Sequence, residues 1–270
     1  MSLERNINIK SAAELAIMRE AGRINAQTLE AVKAAIAPGV TTGELNEVAE
    51  AFQRKMGVYS PFKNYGSDGI APFPASICVS VNEEMVHGIP GKRKLREGDI
   101  VSVDCGTVYN GFVGDSAFTV GVGEISATAD KLIKVTQKAL EIGIAQMVVG
   151  NHSGDVGAAI EAYVRSQGFH CTHMYTGHGV GREMHEAPQV PNYGTPGTGV
   201  CLREGMTIAI EPMVLVGTRH TRVLRNEWTV VSMDGSLTAH QEHTIAVTKD
   251  GPYILTELKE GSCRKASKEI

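Results

Sequence analysis

Five residues in this sequence combine the chemical types and positions needed to hold metal ions at the ends of strands. Asp104 and Glu211 each follow a short β-branched run. Asp115 lies across an Asn-Gly turn from Asp104, and Glu242 opens another β-branched run. Ionised carboxylates that converge repel one another unless a proton or a cation lies between them. With the imidazole of His178, these carboxylates form a ligand set for two divalent ions.

Some of these acidic residues, including Asp104 as a possible turn residue, also have an ordinary structural explanation. Asp115, in Val-Gly-Asp-Ser, could satisfy only a turn, and Glu242 could be a solvated strand end. Glu211 is different, because the apolar residues around it make an unpaired carboxylate costly. Oxygen-rich ligation with one imidazole suits Mn²⁺, Fe²⁺, Co²⁺ or Zn²⁺ and differs from a thiolate zinc site.

The nine histidines divide into three candidates and six others. His178 is flanked by glycines, which let backbone segments approach closely and leave its imidazole free to reach a ligand. The same segment could cradle phosphate, but no Lys-Ser/Thr pair follows it. His185 lies seven residues further on, and His87 could be only a turn residue. The remaining histidines are predicted to be surface or structural residues: His152, His170, His173, His220, His240 and His243.

The elements around these residues predict an α+β protein with antiparallel strands. Capping-box patterns predict helices that start after Ser11 and Thr41. Helical patterns recur over residues 127–147 and 150–168. The dipeptide Asn110-Gly111 predicts a hairpin, and short turns rather than crossover helices separate the β segments.

The two halves of the chain repeat each other. Six residues between 39 and 57 recur between 150 and 168 at a constant offset of 111. Leu-Arg-Glu-Gly recurs at an offset of 107, and each copy precedes a β run that ends in a carboxylate, Asp104 or Glu211. We therefore predict one domain, residues 1–258, in which pseudo-symmetric halves (about 12–125 and 126–256) enclose a cleft. Residues 259–270 are predicted to be a disordered tail.

The composition is typical of a globular cytosolic protein. The 270 residues are 42% hydrophobic and 21% charged. A net charge of −4 argues against a nucleic-acid binder. No apolar stretch approaches the roughly 20 residues of a membrane span, and the N-terminus lacks the apolar run of a secretory signal. The five cysteines include no C-x-x-C pair and are predicted to be reduced.

Several motifs closely resemble those of the type I methionine aminopeptidases, which have the pita-bread fold. The resemblance covers about residues 8–256 and includes VNEEMVHGIP, LREGDIVSVDCG, GHGVGREMHEAPQVPNYG, LREGMTIAIEPM and HQEHTIAVT. It implies that Asp104 chelates one metal ion and that Asp115 and Glu242 bridge both. His178 and Glu211 would complete the other site.

The resemblance also implies roles in catalysis. His185 would donate to the scissile carbonyl, and His87 would contact the peptide beyond the cleaved bond. Glu211 would carry a proton from the attacking water to the leaving amine. The implied substrates are peptides and nascent chains with an N-terminal Met, preferentially those with a small second residue. The resemblance also implies that the enzyme is a monomer that acts at the ribosome.

The methionine pocket is implied less directly. Its walls would be Phe73, Cys78, Met184 and Trp228, although Met184 and Trp228 could also be plain core residues. The segment 64–74 looks longer than the family's tyrosine-containing loop, so no pocket tyrosine is assigned and Ile70 is the nearest candidate.

Two rival functions fit parts of the same pattern. A prolidase or X-Pro aminopeptidase would share the fold, but such enzymes normally carry an additional N-terminal domain, for which the residues before His87 leave no room. A binding module that retains the fold would typically have lost metal ligands, whereas the five ligand positions here are all filled.

Overall fold

The computed structural model describes residues 7–66 and 69–258. Its helices are Ala12–Ala35 (α1), Thr42–Lys55 (α2), Ala127–Ala145 (α3) and Ser153–Ser166 (α4). Its strands are Ile77–Val81 (β1), Glu84–Val86 (β2), Ile100–Tyr109 (β3), Phe112–Gly121 (β4), His170–Cys171 (β5), Thr176–Gly179 (β6), Glu186–Pro191 (β7), Thr207–Ile210 (β8), Met213–Leu215 (β9), Thr221–Val223 (β10), Val230–Ser232 (β11), Thr238–His240 (β12), Glu242–Thr248 (β13) and Gly251–Ile254 (β14). The predicted tail, 259–270, lies outside the described residues.

An antiparallel sheet forms the centre of the fold, which confirms the α+β prediction. Within the described part of the chain, this sheet has eight strands in the order β1-β3-β4-β13-β8-β6-β7, with β14 paired to β13. Strands β3 and β4 form the predicted hairpin, in which Tyr109 pairs with Phe112. The turn residues Asn110 (φ 47°) and Gly111 (φ 76°) both adopt positive φ, as a two-residue hairpin turn requires.

Both predicted capping boxes start helices. The Ser11 hydroxyl accepts from the Glu14 N–H at 3.3 Å, and the Glu14 carboxylate accepts from the Ser11 N–H at 2.9 Å. Thr41 and Glu44 make the same reciprocal pair at 3.1 and 2.7 Å before α2. These bonds satisfy backbone donors that the first helical turn leaves free.

The helix pairs follow the repeat seen in the sequence. Helices α2 and α4 are each 14 residues long. They begin at Thr42 and Ser153, so the offset is 153 − 42 = 111. The glycines that follow them, Gly57 and Gly168, both have positive φ, 69° and 84°. This correspondence supports the proposed duplication.

Side-chain alternation along β3 separates a core face from an open face. Val101, Val103 and Cys105 pack in a buried cluster with Leu29 and other residues of α1 and α2. Asp104 lies between two of them and therefore points to the opposite face. The helices thus cover one side of the sheet at β3, and the other side is left for the cleft.

Two predictions about the whole chain concern cysteines and membranes. Cys78, Cys105, Cys171 and Cys201 are free thiols, and Cys263 lies outside the described residues. Across residues 7–66 and 69–258, no helix combines the length and apolar character that crossing a bilayer requires.

Candidate active site

A row of paired positions crosses the central sheet on its open face. Asp104 pairs with Cys78 of β1 and Ala117 of β4, and Ala117 pairs in turn with Glu242 of β13. Residues directly opposite one another in antiparallel strands point to the same face. Asp115, two residues from Ala117 along β4, shares that face. The small side chain of Ala117 leaves the space between the carboxylates open.

Glu211 enters the same space from the end of β8. His243 pairs with Ile210, so continuing the register places Glu211 beside Glu242. The Glu211 carbonyl accepts a bond of 2.9 Å from the Asn192 side chain, which holds the backbone beyond the strand. Every carboxylate that the sequence singled out therefore faces one cleft.

His178 is held on β6 with one ring nitrogen turned toward the carboxylates. Its Nδ1 lies 2.9 Å from the Gly179 carbonyl. A carbonyl only accepts, so Nδ1 carries the proton and Nε2 has a free lone pair. Nε2 lies 3.7 Å from Asp115 Oδ2 and 3.5 Å from Glu211 Oε1. Burial lowers the pKa of His178 to about 3, so the ring is neutral and suited to bind a metal.

The glycines on both sides of His178 have a packing reason. A Cβ at Gly177 would lie 2.5 Å from the Ala209 carbonyl oxygen, and one at Gly179 would collide with the Ala187 carbonyl. Only glycine lets β6 approach its neighbours closely enough for the imidazole to reach the cluster.

His240 was predicted to be surface or structural, but the structure places it in this cluster. It is 2% exposed, and its Nε2 lies 3.5 Å from Glu211 Oε2 and 3.8 Å from Glu242 Oε2. The clue in the sequence was its spacing: His240 and Glu242 are two residues apart, and alternate residues of an extended segment share a face.

The donor atoms fall into two sets that overlap at Glu242. Asp104, His240 and Glu242 each offer an atom within 4.8 Å of the others. Asp115, His178 and Glu242 do the same. The two sets share the carboxylate of Glu242, so these donor atoms could hold cations at two adjacent positions.

The raised pKa values of the clustered carboxyl groups show that the cluster favours bound positive charge. Burial, and secondarily the neighbouring Asp115, raises the pKa of Asp104 and of Glu242 well above the usual range. Burial also raises the pKa of Glu211 well above its usual range. Burial first, and Glu211 second, raise the pKa of Asp115 to about 8. These carboxyl groups must hold protons or share cations.

Unpaired buried atoms test whether metal ions fit. Among the described residues, the buried side-chain atoms without a hydrogen-bond partner are Asp104 Oδ1, Asp115 Oδ1, His240 Nε2 and Glu242 Oε1. Buried polar atoms are normally paired, and a carboxylate oxygen is also a metal ligand. All four belong to the two donor sets, so the residues present fit divalent cations.

A cavity of about 150 Å³ opens beside the donor cluster. All four residues predicted for the methionine pocket line it. The rings of Phe73 and Trp228 meet edge to face with centroids 5.3 Å apart. Met184 is 7% exposed and belongs to the same apolar cluster as Phe73 and Cys78. Met184 and Trp228 therefore serve as core residues and as cavity walls at once.

The segment before Phe73 contributes a tyrosine, Tyr65, to this cavity, where the sequence left the pocket tyrosine unassigned and offered Ile70 as the nearest candidate. Tyr65 lines the cavity and its hydroxyl lies 2.6 Å from His185 Nδ1. Ile70 is 41% exposed and is not part of the lining. The loop path depends on distant contacts, including the bond of 2.8 Å from Trp228 Nε1 to the Ala71 carbonyl.

His87 and His185 stand on two sides of the cleft. The His185 ring centroid lies 4.3 Å from that of His178, beside the donor cluster. His87 lies 6.3 Å from Trp228 and 6.0 Å from Tyr175 between ring centroids. Its φ of 58° lies in the left-handed region, which is uncommon for a residue with a side chain. Burial lowers the pKa of His87 to about 4, which keeps it neutral.

Comparison with known proteins identifies the family. Residues 16–249 match metallopeptidase family M24. Methionine aminopeptidase from Clostridium acetobutylicum is 51% identical over 93% of this chain and 98% of its own length. The chain belongs to the methionine aminopeptidases of family M24. The crystal structure of methionine aminopeptidase from Thermotoga maritima shares its fold with a TM-score of 0.89, at 47% identity over 93% of this chain and 99% of the other.

A structure of the prolidase type is less similar to this chain, in both sequence and fold. Xaa-Pro dipeptidase from Bacillus anthracis has a TM-score of 0.74 and 25% identity, over 93% of this chain and 62% of the other. The methionine aminopeptidase and the dipeptidase both have the pita-bread fold. The chain is 47% identical to the former and 25% identical to the latter, so its sequence groups with the methionine aminopeptidases. As a member of this family, the chain is a hydrolase that uses divalent metal ions.

Proposed function

We propose that this protein removes N-terminal methionine with two metal ions held by Asp104, Asp115, His178, Glu211 and Glu242. The two overlapping donor sets, which share Glu242, carry this proposal for four of the ligands, and Glu211 lies beside them with Oε1 3.5 Å from His178 Nε2. A carboxylate has two oxygens and can bridge two ions, so each set would hold one. Mn²⁺, Fe²⁺, Co²⁺ and Zn²⁺ all suit such ligands.

Glu211 is the proposed proton carrier. When bound, divalent ions supply Lewis-acid chemistry, which acidifies a water molecule and stabilises negative charge on the substrate oxygen. Glu211 accepts the proton of the attacking water and delivers it to the leaving amine. Its two oxygens lie 3.5 Å from His178 and 3.5 Å from His240, so the side chain is held at the donor cluster.

His185 and His87 are the proposed contacts to the peptide. Burial lowers the pKa of His185, so its ring is neutral and can donate an N–H to the scissile carbonyl without carrying charge. His87 faces the cleft from the Trp228 side and would contact the peptide beyond the cleaved bond. Both roles use a neutral imidazole, which also avoids repelling metal ions.

The apolar cavity is the proposed methionine site. Its walls combine rings (Tyr65, Phe73, Trp228) with the soft sulfur side chains of Cys78 and Met184. Such a surface suits the flexible thioether of a methionine substrate. Burial raises the pKa of Cys78 well above its usual range, so this residue serves as a neutral wall rather than a nucleophile.

The remaining parts of the proposal concern the setting of the reaction. We expect peptides with a small second residue to be preferred, and a cytoplasmic monomer to act on nascent chains at the ribosome. These expectations rest on the resemblance to type I methionine aminopeptidases.

The test is a peptidase assay on protein reconstituted with one metal at a time. Met-Ala-Ser should be hydrolysed with release of methionine, and an Ala-Pro dipeptide should be left intact. A series of Met-X-Ser peptides would measure the preference at the second residue. Turnover of the proline substrate alone would overturn the assignment in favour of a prolidase, and binding of metal without any turnover would favour a binding module.

A further inference from the structure

His240 brings a second imidazole to a centre for which the family resemblance assigns only His178. We propose that His240 is a sixth metal ligand, bound through Nε2 to the ion on the Asp104 side. This inference rests on the proposed dinuclear function and deepens it, because it predicts which metals that position selects.

The spacing of the donor atoms favours a shared ion over a hydrogen bond. His240 Nε2 is buried and lies 3.5 Å from Glu211 Oε2 and 3.8 Å from Glu242 Oε2. Both distances exceed the range of about 2.7–3.2 Å for N–H···O bonds. Ligands about 2.1 Å from an ion with tetrahedral angles lie roughly 3.4 Å apart, close to these separations.

The backbone holds His240 in this position. Its N–H donates to the Thr119 hydroxyl at 2.9 Å, and that hydroxyl donates to the His240 carbonyl at 2.7 Å. Its pairing with Met213 ends strand β12. Because Glu242 is two residues further on, both side chains project to the same side. The ligand position is therefore set before any ion binds, which favours affinity.

With His240 included, the two ion positions have matching chemistry. One set combines Asp104, His240 and Glu242, and the other combines Asp115, His178 and Glu242. An all-oxygen position would suit Mg²⁺ or Mn²⁺, whereas an added imidazole favours Co²⁺ and Zn²⁺. Co²⁺ binds sites of nitrogen and oxygen ligands more tightly than Mn²⁺ in general, so we expect the preference of the Asp104-side position for Co²⁺ over Mn²⁺ to become smaller when His240 is replaced.

The experiment compares wild type with His240→Gln, and with His170→Gln as a control at an exposed histidine. Calorimetric titration of the metal-free proteins with Co²⁺ gives the affinity of each ion. Proton NMR of the Co²⁺ proteins, with ¹⁵N-labelled histidine, counts the shifted N–H signals of bound imidazoles. Circular dichroism checks folding, and His240→Asn replaces His240→Gln if the latter unfolds.

We expect wild type and His170→Gln to bind two ions and show two bound imidazoles. His240→Gln should show one, and its affinity for the second ion should fall by about 10–100-fold. Unchanged affinity and two bound imidazoles in His240→Gln would overturn the inference, even if turnover fell, because His240 would then only position Glu211. Binding of a single ion by wild type would instead refute the proposed dinuclear function.

Discussion

The hydroxyl of Tyr65 lies 2.6 Å from Nδ1 of His185, and the two ring centroids are 5.3 Å apart. This contact joins the loop at 64–74 to the histidine that we propose as the donor to the scissile carbonyl. It fixes which ring nitrogen of His185 is engaged by the protein. The other nitrogen remains available to a substrate.

We expect Tyr65→Phe to lower kcat/KM for Met-Ala-Ser by about 2–10-fold, the effect of losing a hydrogen bond worth roughly 0.5–1.5 kcal/mol. Steady-state kinetics provide the measurement. Tyr59→Phe is the matched control, because Tyr59 is 64% exposed. Equal effects of the two substitutions would contradict a positioning role for Tyr65.

Replacing Glu211 by Gln keeps the size of the side chain and removes its ability to accept a proton. We expect kcat to fall by about 10²-fold or more, as loss of a general base typically causes. Metal content, measured on the same sample, separates this effect from loss of an ion. The exposed Glu204 supplies the control, Glu204→Gln. Activity within a few-fold of wild type would remove Glu211 from proton transfer.

The stability of metal-free protein should fall as the pH rises from about 6.5 to about 8. Below this range the buried histidines His87 and His178, whose pKa burial lowers from 6.5 to about 4 and about 3, have the opposite effect on stability. The pKa of Asp115 is about 8 in the folded protein, against an ordinary value of 3.8. Between these values the folded state holds a proton that the unfolded state has released. Above about pH 6.5, where histidines of the unfolded chain are already largely neutral, the free energy of unfolding therefore decreases with pH. Melting temperatures of EDTA-treated protein provide the measurement.

Metal ions should reverse this trend, because a bound ion replaces the protons and stabilises the native state. The loss of melting temperature on adding EDTA should consequently be larger at pH 8 than at pH 6. In Asp115→Asn the metal-free protein should depend less on pH, since that group no longer titrates. A melting temperature indifferent to EDTA at both pH values would argue against the metal centre.

The bond from Trp228 Nε1 to the Ala71 carbonyl, 2.8 Å long, joins Ala71 to a residue of the cavity wall. Trp228→Phe keeps a ring in the pocket and removes this bond. We expect KM for Met-Ala-Ser to rise by about 2–10-fold with kcat nearly unchanged, because the contact is remote from the reacting bond. A lower kcat at constant KM would place Trp228 in the chemical step instead.

Local patterns were enough to predict the carboxylates. Asp104 and Asp115 lie on one hairpin, whose turn is specified by Asn110-Gly111, so their shared face follows from strand alternation alone. The repeat at offset 107 related Glu211 to Asp104 without any long-range information. The capping boxes predicted the helix starts for the same reason, since their bonds span three residues.

Residues positioned by distant contacts were missed. Tyr65 lies in the cleft with its hydroxyl hydrogen-bonded to His185, a residue 120 positions away in the chain. Local turn and loop propensities contain no information about such a distant partner. His240 is the last residue of β12, which pairs with β9, whereas Glu242 opens β13 in the central sheet, so neither run by itself indicates where the imidazole points. Its spacing of two residues from Glu242 was the available clue.

The shared carboxylate Glu242 has a consequence for how the protein matures. Asp104 and Glu242 are 242 − 104 = 138 residues apart in the chain, and their strands meet only through β4. An ion cannot nucleate this structure as zinc does in a zinc finger, because most of its ligands are scattered until the sheet has closed. The hairpin that carries Asp104 and Asp115 can form early. Glu242 reaches these carboxylates only after the second half of the chain has docked and β13 has paired with β4. Uptake of the metal would therefore mark the completion of folding, and its time course during refolding would follow the last strand to pair.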